Sequence, residues 1–178
     1  MSSGVFSTVV VPIDFVPAGE EGDPSTIRRI EFEPERFVNI TAATEDALRL
    51  AVRLAGGGCV RLVHASPELL HVMGPIGAYF PPDTPAEFRR AALAQATAIL
   101  TRIAETYCRG VEVEIHVVPG PPAQVIVDDA RKRAADAIVL GVSGHRRLYR
   151  AFLGSVADKV LRRAHCPVFV MPQPVSEG

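Results

Sequence analysis

The sequence predicts an α/β domain in three layers, built on a doubly wound, Rossmann-like sheet of five parallel strands. Short apolar, often β-branched runs recur at Val9–Ile13, Cys59–Ala65, Val111–Val118, Asp136–Val142 and Val168–Met171. Segments with apolar residues three and four apart separate them, which is the helical period. Strict alternation of such strands and helices calls for a parallel sheet covered on both faces. Right-handed crossovers then restrict the topology to a doubly wound order.

Taken in order, VVVPI at residues 9–13 reads as a strand buried on both faces and ends at Asp14. Residues 17–40 carry prolines, glycines and mixed charge. They read as an insertion containing a short hairpin. From Thr41 the pattern becomes helical; Thr44, followed by Glu45 and Asp46, looks like the helix start, and Ala47, Leu48, Ala51, Leu54 and Ala55 follow at helical spacing. Gly56-Gly57-Gly58 ends that helix. Beyond the second strand, residues 66–85 form a loop that is unusually apolar around MGPIGAYFPP.

An alanine-rich helix is expected over 86–108, with Phe88, Ala92, Ile99 and Ile103 turned inward. Val111–Val118 alternates apolar and polar residues, as a strand near the sheet edge does. Pro119-Gly120-Pro121-Pro122 leads into a helix over about 123–134, and a last helix is expected over about 155–164. The reading is a single domain spanning 1–178.

With 178 residues, 48% of them hydrophobic and 22% charged, the composition is that of a folded globular chain. Its 19 basic and 20 acidic side chains leave a formal charge of −1, which gives no general attraction to nucleic acid or to an anionic membrane. The N-terminal apolar run is too short for a signal peptide or a span, and no stretch approaches ~18 apolar residues. Three cysteines without a CxxC pair speak against a disulfide framework or structural zinc. A cytoplasmic setting follows as the expectation.

The chemistry is expected where two strand ends carry ligand-type loops, Pro12-Ile13-Asp14 and Gly141-Val142-Ser143-Gly144. Glycines let backbone N–H groups approach a phosphate, and Gly154-Ser155 opens a helix whose N-terminus favours an anion. An ionised Asp14 accepts hydrogen bonds from ribose hydroxyls or an amino edge. Taken singly, each residue has an ordinary structural explanation; Ser155 with Asp158 reads equally as a helix cap.

GVSGHRRLYRAFLGS (141–155) resembles the Gly-x-x-Gly-x9-Gly-Ser motif of nucleotide-binding universal stress proteins. VVVPIDF and VRLVHASP are similar to that family's first two strands, and SVADKVLRRAHCPVFVMP to its last helix and strand. The resemblance implies strand order 3-2-1-4-5 in an adenine-nucleotide α-hydrolase-like fold that binds ATP, with Mg2+ as the accompanying cation. Carried over, it places Pro12 and Asp14 beside adenosine and the Ala65 backbone against adenine. Gly141, Ser143 and Gly144 would border ribose and phosphates, and Gly154, Ser155 and Val156 would hold the phosphates. It also implies a homodimer through Val168–Met171.

Two departures stand out. The insertion separates Asp14 from the first helix, and Ser143 stands where several members carry histidine. No residue is marked as a general base, so any ATP hydrolysis would be slow. Two other readings compete. The first is an enzyme of the related α-hydrolase group, although its SGGxDS signature is replaced here by PIDF. The second is a nucleotide-free module that binds a partner through the insertion and the apolar loop. His64, His71, His116 and His165 read as packed or solvated. His145, Arg146, Arg147 and Arg150 lie within the glycine motif, near where a triphosphate would sit.

Overall fold

Three consecutive β-branched residues, Val9, Val10 and Val11, have no solvent exposure, which requires cover on both faces of their strand, β1 (Thr8–Pro12). The structure is a computed structural model that describes residues 6–16, 26–66, 86–142 and 154–173. After β1 come the hairpin strands β2 (Ile27–Glu33) and β3 (Arg36–Thr41), which pair with each other outside the main sheet. The main sheet adds β4 (Cys59–Ser66), β5 (Glu112–Pro119), β6 (Ala137–Gly141) and β7 (Val168–Met171).

Its order is β5-β4-β1-β6-β7 with every pairing parallel. Without the hairpin this is 3-2-1-4-5, as expected. β5 lies at the edge, where its alternating pattern placed it.

Helices α1 (Ala42–Ala55) and α2 (Ala86–Tyr107) cover one face of the sheet; α3 (Pro122–Lys132) and α4 (Ser155–Arg163) cover the other. The two-residue period of β1 divides its side chains between them. Val9 and Val11 join Leu48, Ala51, Ile99 and Ile103, whereas Val10 joins Ile126, Ala130 and Val160. Ile99 and Ile103 are buried as predicted, and Ala92 is half-buried. The Phe88 side chain and the apolar loop around 67–85 lie outside the described residues.

Helix α1 starts three residues earlier than the Thr44-Glu45-Asp46 signal indicated. Thr41 is the N-cap, and its hydroxyl accepts a hydrogen bond from the Thr44 N–H at 3.1 Å. Gly56 closes the same helix in the left-handed conformation, at φ 52°.

The insertion is an ordered hairpin over its second half. Ile30, Val38 and Ile40 are buried and extend the core on the α1/α2 side. Arg28 pairs with Glu45 of α1, Arg102 of α2 donates to the Glu31 carbonyl at 3.2 Å, and Val16 N–H donates to the Asn39 carbonyl at 2.8 Å. The hairpin is thus anchored to both helices and to the chain leaving β1.

Under α3 lies a charged network. Arg61 of β4 is buried and meets Asp129 of α3 through two hydrogen bonds of 2.7 and 2.8 Å. His116 of β5 also donates to Asp129, at 2.6 Å, and Glu114 bridges Arg61 and Arg133. The Asp128-Asp129 pair diverges as its helical spacing required, since Asp128 instead accepts from Gln124. The three cysteines are free thiols, and burial pushes Cys108 up to about 11.

Burial alone would raise the Asp129 carboxyl, but Arg61 and His116 together hold it below its ordinary 3.8. Its stabilising contribution is therefore present above that value and lost as pH falls through the folded one. Asp129→Ala leaves Arg61 with Glu114 alone and is expected to cost about 3 kcal/mol in urea denaturation, the low end for a broken buried pair. The double replacement Arg61→Met, Asp129→Leu is expected to cost less than Asp129→Ala, because it removes the orphaned charge.

Candidate functional site

Strand order reverses between β1 and β6, so the loops leaving their carboxyl ends diverge to opposite faces and open a crevice. The register pairs Val10 with Ile138. Counting three residues on along each strand sets Ile13 level with Gly141. Pro12 ends β1 opposite Val63, and Asp14 stands just beyond it, exposed. Ala65 lies in β4 beside Val118 of β5. Gly141 is the last residue of β6, and Gly154, Ser155 and Val156 open α4. Ser143 and Gly144 lie outside the described residues, as do His71, His145, Arg146, Arg147 and Arg150.

The two described glycines of the motif are required for different reasons. A Cβ at Gly141 would come within 2.6 Å of the Thr44 backbone nitrogen and 2.7 Å of the Ala43 carbonyl carbon. The first turn of α1 therefore seats directly on the end of β6, and glycine is needed there by the chain itself. Its neighbours Ala43 and Thr44 are buried by this contact.

At Gly154 a Cβ would meet nothing within 4 Å among the described residues, and φ is −35°, so neither their packing nor the backbone conformation calls for glycine. Gly154 is the N-cap of α4, and among the described residues no side chain caps that helix. The Ser155–Asp158 capping pair is not formed, since Asp158 turns to Arg162 at 3.0 Å. Among the described residues the first-turn N–H groups of α4 thus lack a side-chain acceptor, and Ser155 and Val156 are exposed beside them.

His64, read from the sequence as packed or solvated, is packed, and it joins two strand ends. Its Nδ1–H donates to the Ile13 carbonyl at 2.9 Å, and its ring stacks on Phe15 with centroids 4.4 Å apart. The Ile13 N–H in turn donates to the Val63 carbonyl at 2.8 Å. The exit of β1 is therefore fastened to β4 on both sides of Ile13. Burial lowers the His64 pKa below its ordinary 6.5, against opposing pulls from the Ile13 carbonyl and from Asp14. Among the described residues, no group of three His, Cys, Asp or Glu side chains is placed to hold a metal ion.

A five-stranded parallel sheet with its crevice at the reversal of strand order defines a Rossmann-like α/β domain of the kind that takes ligands outside its strand ends. The model of the universal stress protein family matches residues 39–172, and the chain belongs to that family. The match begins in β3, beyond the greater part of the insertion.

Universal stress protein MJ0531 of Methanocaldococcus jannaschii is 46% identical over 68 residues, 38% of this chain and 40% of that protein. The aligned stretch thus spans less than half of that relative's length. Among solved structures, the hypothetical protein MJ0577 superposes with a TM-score of 0.63 at 21% identity, covering 97% of this chain and 99% of its own. A universal stress protein of Arabidopsis thaliana with AMP bound superposes at 0.54 and 17% identity, covering 96% of this chain and 94% of its own. At these identities the two superpositions show the shared fold.

Gly141→Ala and Gly154→Ala should separate the two kinds of glycine. The first forces β6 and α1 apart and is expected to cost about 1–3 kcal/mol, as overpacking does. The second is expected to cost about 1 kcal/mol or less, the scale of an N-cap change. Urea denaturation of both variants beside the parent measures the difference.

Proposed function

We propose that the chain binds an adenine nucleotide, ATP in first place, in the crevice between β1 and β6 and acts as a nucleotide-responsive module of the stress response. The observation that carries the reading is Gly154. A glycine that no described neighbour requires, at the start of a helix that no described side chain caps, leaves room for a phosphate to meet backbone N–H groups.

Family membership and the AMP-bound Arabidopsis relative support the same ligand class. In this reading Asp14 accepts from ribose hydroxyls and Pro12 flanks the sugar, while the Ala65 backbone meets adenine. The phosphates lie against Gly154, Ser155 and Val156, with Gly141, Ser143 and Gly144 bordering them. Mg2+ would enter with the phosphates, since it is commonly held by one or two carboxylates together with substrate oxygens.

Gly141 keeps its place at the rim of the crevice, although its lack of a side chain already serves α1. The absence of an assignable base fits a binding protein whose hydrolysis, where it occurs, is slow. The reading includes a cytoplasmic setting and a homodimer through the β7 edge, where Val168–Met171 present a short apolar strand that is only half-buried. The anchored hairpin favours a second reading in one respect: Phe37 is 40% exposed on it, with the Arg29 guanidinium 3.7 Å from its ring centre. In that nucleotide-free reading, a partner chain would bind there.

Nucleotides released by heat from the purified protein, separated by chromatography, are expected to include an adenine nucleotide. Added ATP at a hundredfold excess over its Kd should stabilise the parent by about 2.7 kcal/mol, read as a rise in Tm. Gly154→Val should abolish both results while keeping the parent's circular dichroism, because its side chain fills the phosphate's place. An adenine-free parent that ATP does not stabilise refutes the reading.

A further inference from the structure

At the exit of β1, one imidazole joins two parts of the candidate site. His64 holds the Ile13 carbonyl at 2.9 Å, one residue before Asp14, and its ring lies against Phe15, one residue after it. Its own backbone leads directly into Ala65. The two flanks of the proposed adenosine pocket, the end of β1 and the end of β4, therefore meet through this side chain. The strand ladder supplies the Ile13–Val63 hydrogen bond on the other side, so Ile13 cannot turn without breaking one or the other. No such fastening would be needed for β1 itself, whose residues 8–12 already pair with β4.

We propose that His64 is a positioning residue for nucleotide binding, holding the Ile13-Asp14-Phe15 exit so that the Asp14 carboxylate faces the ribose. The proposal rests on the nucleotide reading above. A neutral ring is required for this role. With Nδ1–H committed to Ile13, the neutral tautomer carries no charge and exerts no ionic pull on Asp14. Protonation adds a positive charge to a half-buried ring whose charged neighbour, among the described residues, is Asp14. The imidazolium then draws the carboxylate toward itself and competes with the ribose hydroxyls. Burial disfavours that protonation, so the competition begins only below about pH 6.5, the ordinary value for histidine. The same residue thus makes affinity fall in acid.

Calorimetric titration with ATP at pH 7.5 and pH 5.5 tests the role in the parent, His64→Leu and His64→Asn. Asparagine keeps an N–H donor at the Nδ1 position and cannot gain a charge; leucine keeps bulk alone. At pH 7.5 His64→Leu is expected to bind about tenfold more weakly, the scale of one lost hydrogen bond to a positioned group. His64→Asn is expected to stay within about threefold of the parent, a loss smaller than one hydrogen bond.

Between pH 7.5 and 5.5 the parent should lose more affinity than His64→Asn. Both bind the same nucleotide, so titration of the ATP phosphates affects them equally. Equal affinities of parent and His64→Leu overturn the role, as do superimposable pH profiles of parent and His64→Asn. Should His64→Leu prove unfolded by circular dichroism, the parent and His64→Asn profiles decide alone. A parent that binds no ATP at either pH overturns the nucleotide reading and this role with it. A parent that binds beside an equally tight His64→Leu overturns the role only.

Discussion

Everything at the candidate site depends on β1 being paired in parallel on both sides. A strand in that position has no edge, and its Val9–Val11 side chains are sealed into separate cores above and below the sheet. Its carboxyl end is then fixed relative to β4 and β6 before any loop is considered. The chain leaves β1 toward β4 and later returns to the other side at β6, so the neighbouring loops cannot close over the gap between them. The crevice is a consequence of connectivity, and loop residues only furnish it.

That arrangement explains how the connection from β1 to α1 can hold the insertion over 17–40. Closing a longer loop costs little more than closing a short one, because the entropy grows only with the logarithm of length. The insertion also contributes core of its own through Ile30, Val38 and Ile40. Its second strand runs straight into the Thr41 cap, so α1 begins where it must to seat on Gly141. The helix start therefore belongs to the β6 contact as much as to the hairpin. The Thr44-Glu45-Asp46 signal misplaced it because an internal threonine, acidic on its C-terminal side, looks the same in sequence as a true cap.

The strands and helices of the main fold were legible because each carries a period that burial enforces. The hairpin, whose apolar residues fall at irregular intervals, was read from its prolines, glycines and mixed charge. The site was legible only as a set of positions. Gly141 and Gly154 belong to one spacing pattern and look equivalent in sequence, yet one is crowded by Thr44 and the other meets no described neighbour. Whether a missing side chain makes room for chain or for ligand is decided by elements distant along the sequence. The same holds for Asp129, whose partner Arg61 lies 68 residues away on a strand that otherwise reads as apolar. His64 was visible as a strand-end histidine, but its hydrogen bond to Ile13 depends on the parallel register of β1 and β4.

The two edges of the sheet are unlike, and the difference bears on self-association. β5 carries Glu112, Glu114 and His116 on one face, with Glu114 and His116 drawn into the ion network under α3. Polar and charged side chains at a strand edge discourage another strand from adding to it. β7 offers Val168, Phe169, Val170 and Met171 in succession, none fully buried, and among the described residues it pairs only with β6. A strand with no charge of its own and an unfilled ladder is what a second copy would cover most favourably. This asymmetry makes β7 the edge for the proposed homodimer. It also leaves β5, with α3 above it, as the solvated side of the fold. A dimer formed in this way would extend the sheet across a two-fold axis beyond β7, with β6 between that junction and β1. Each crevice would then be complete within its own chain.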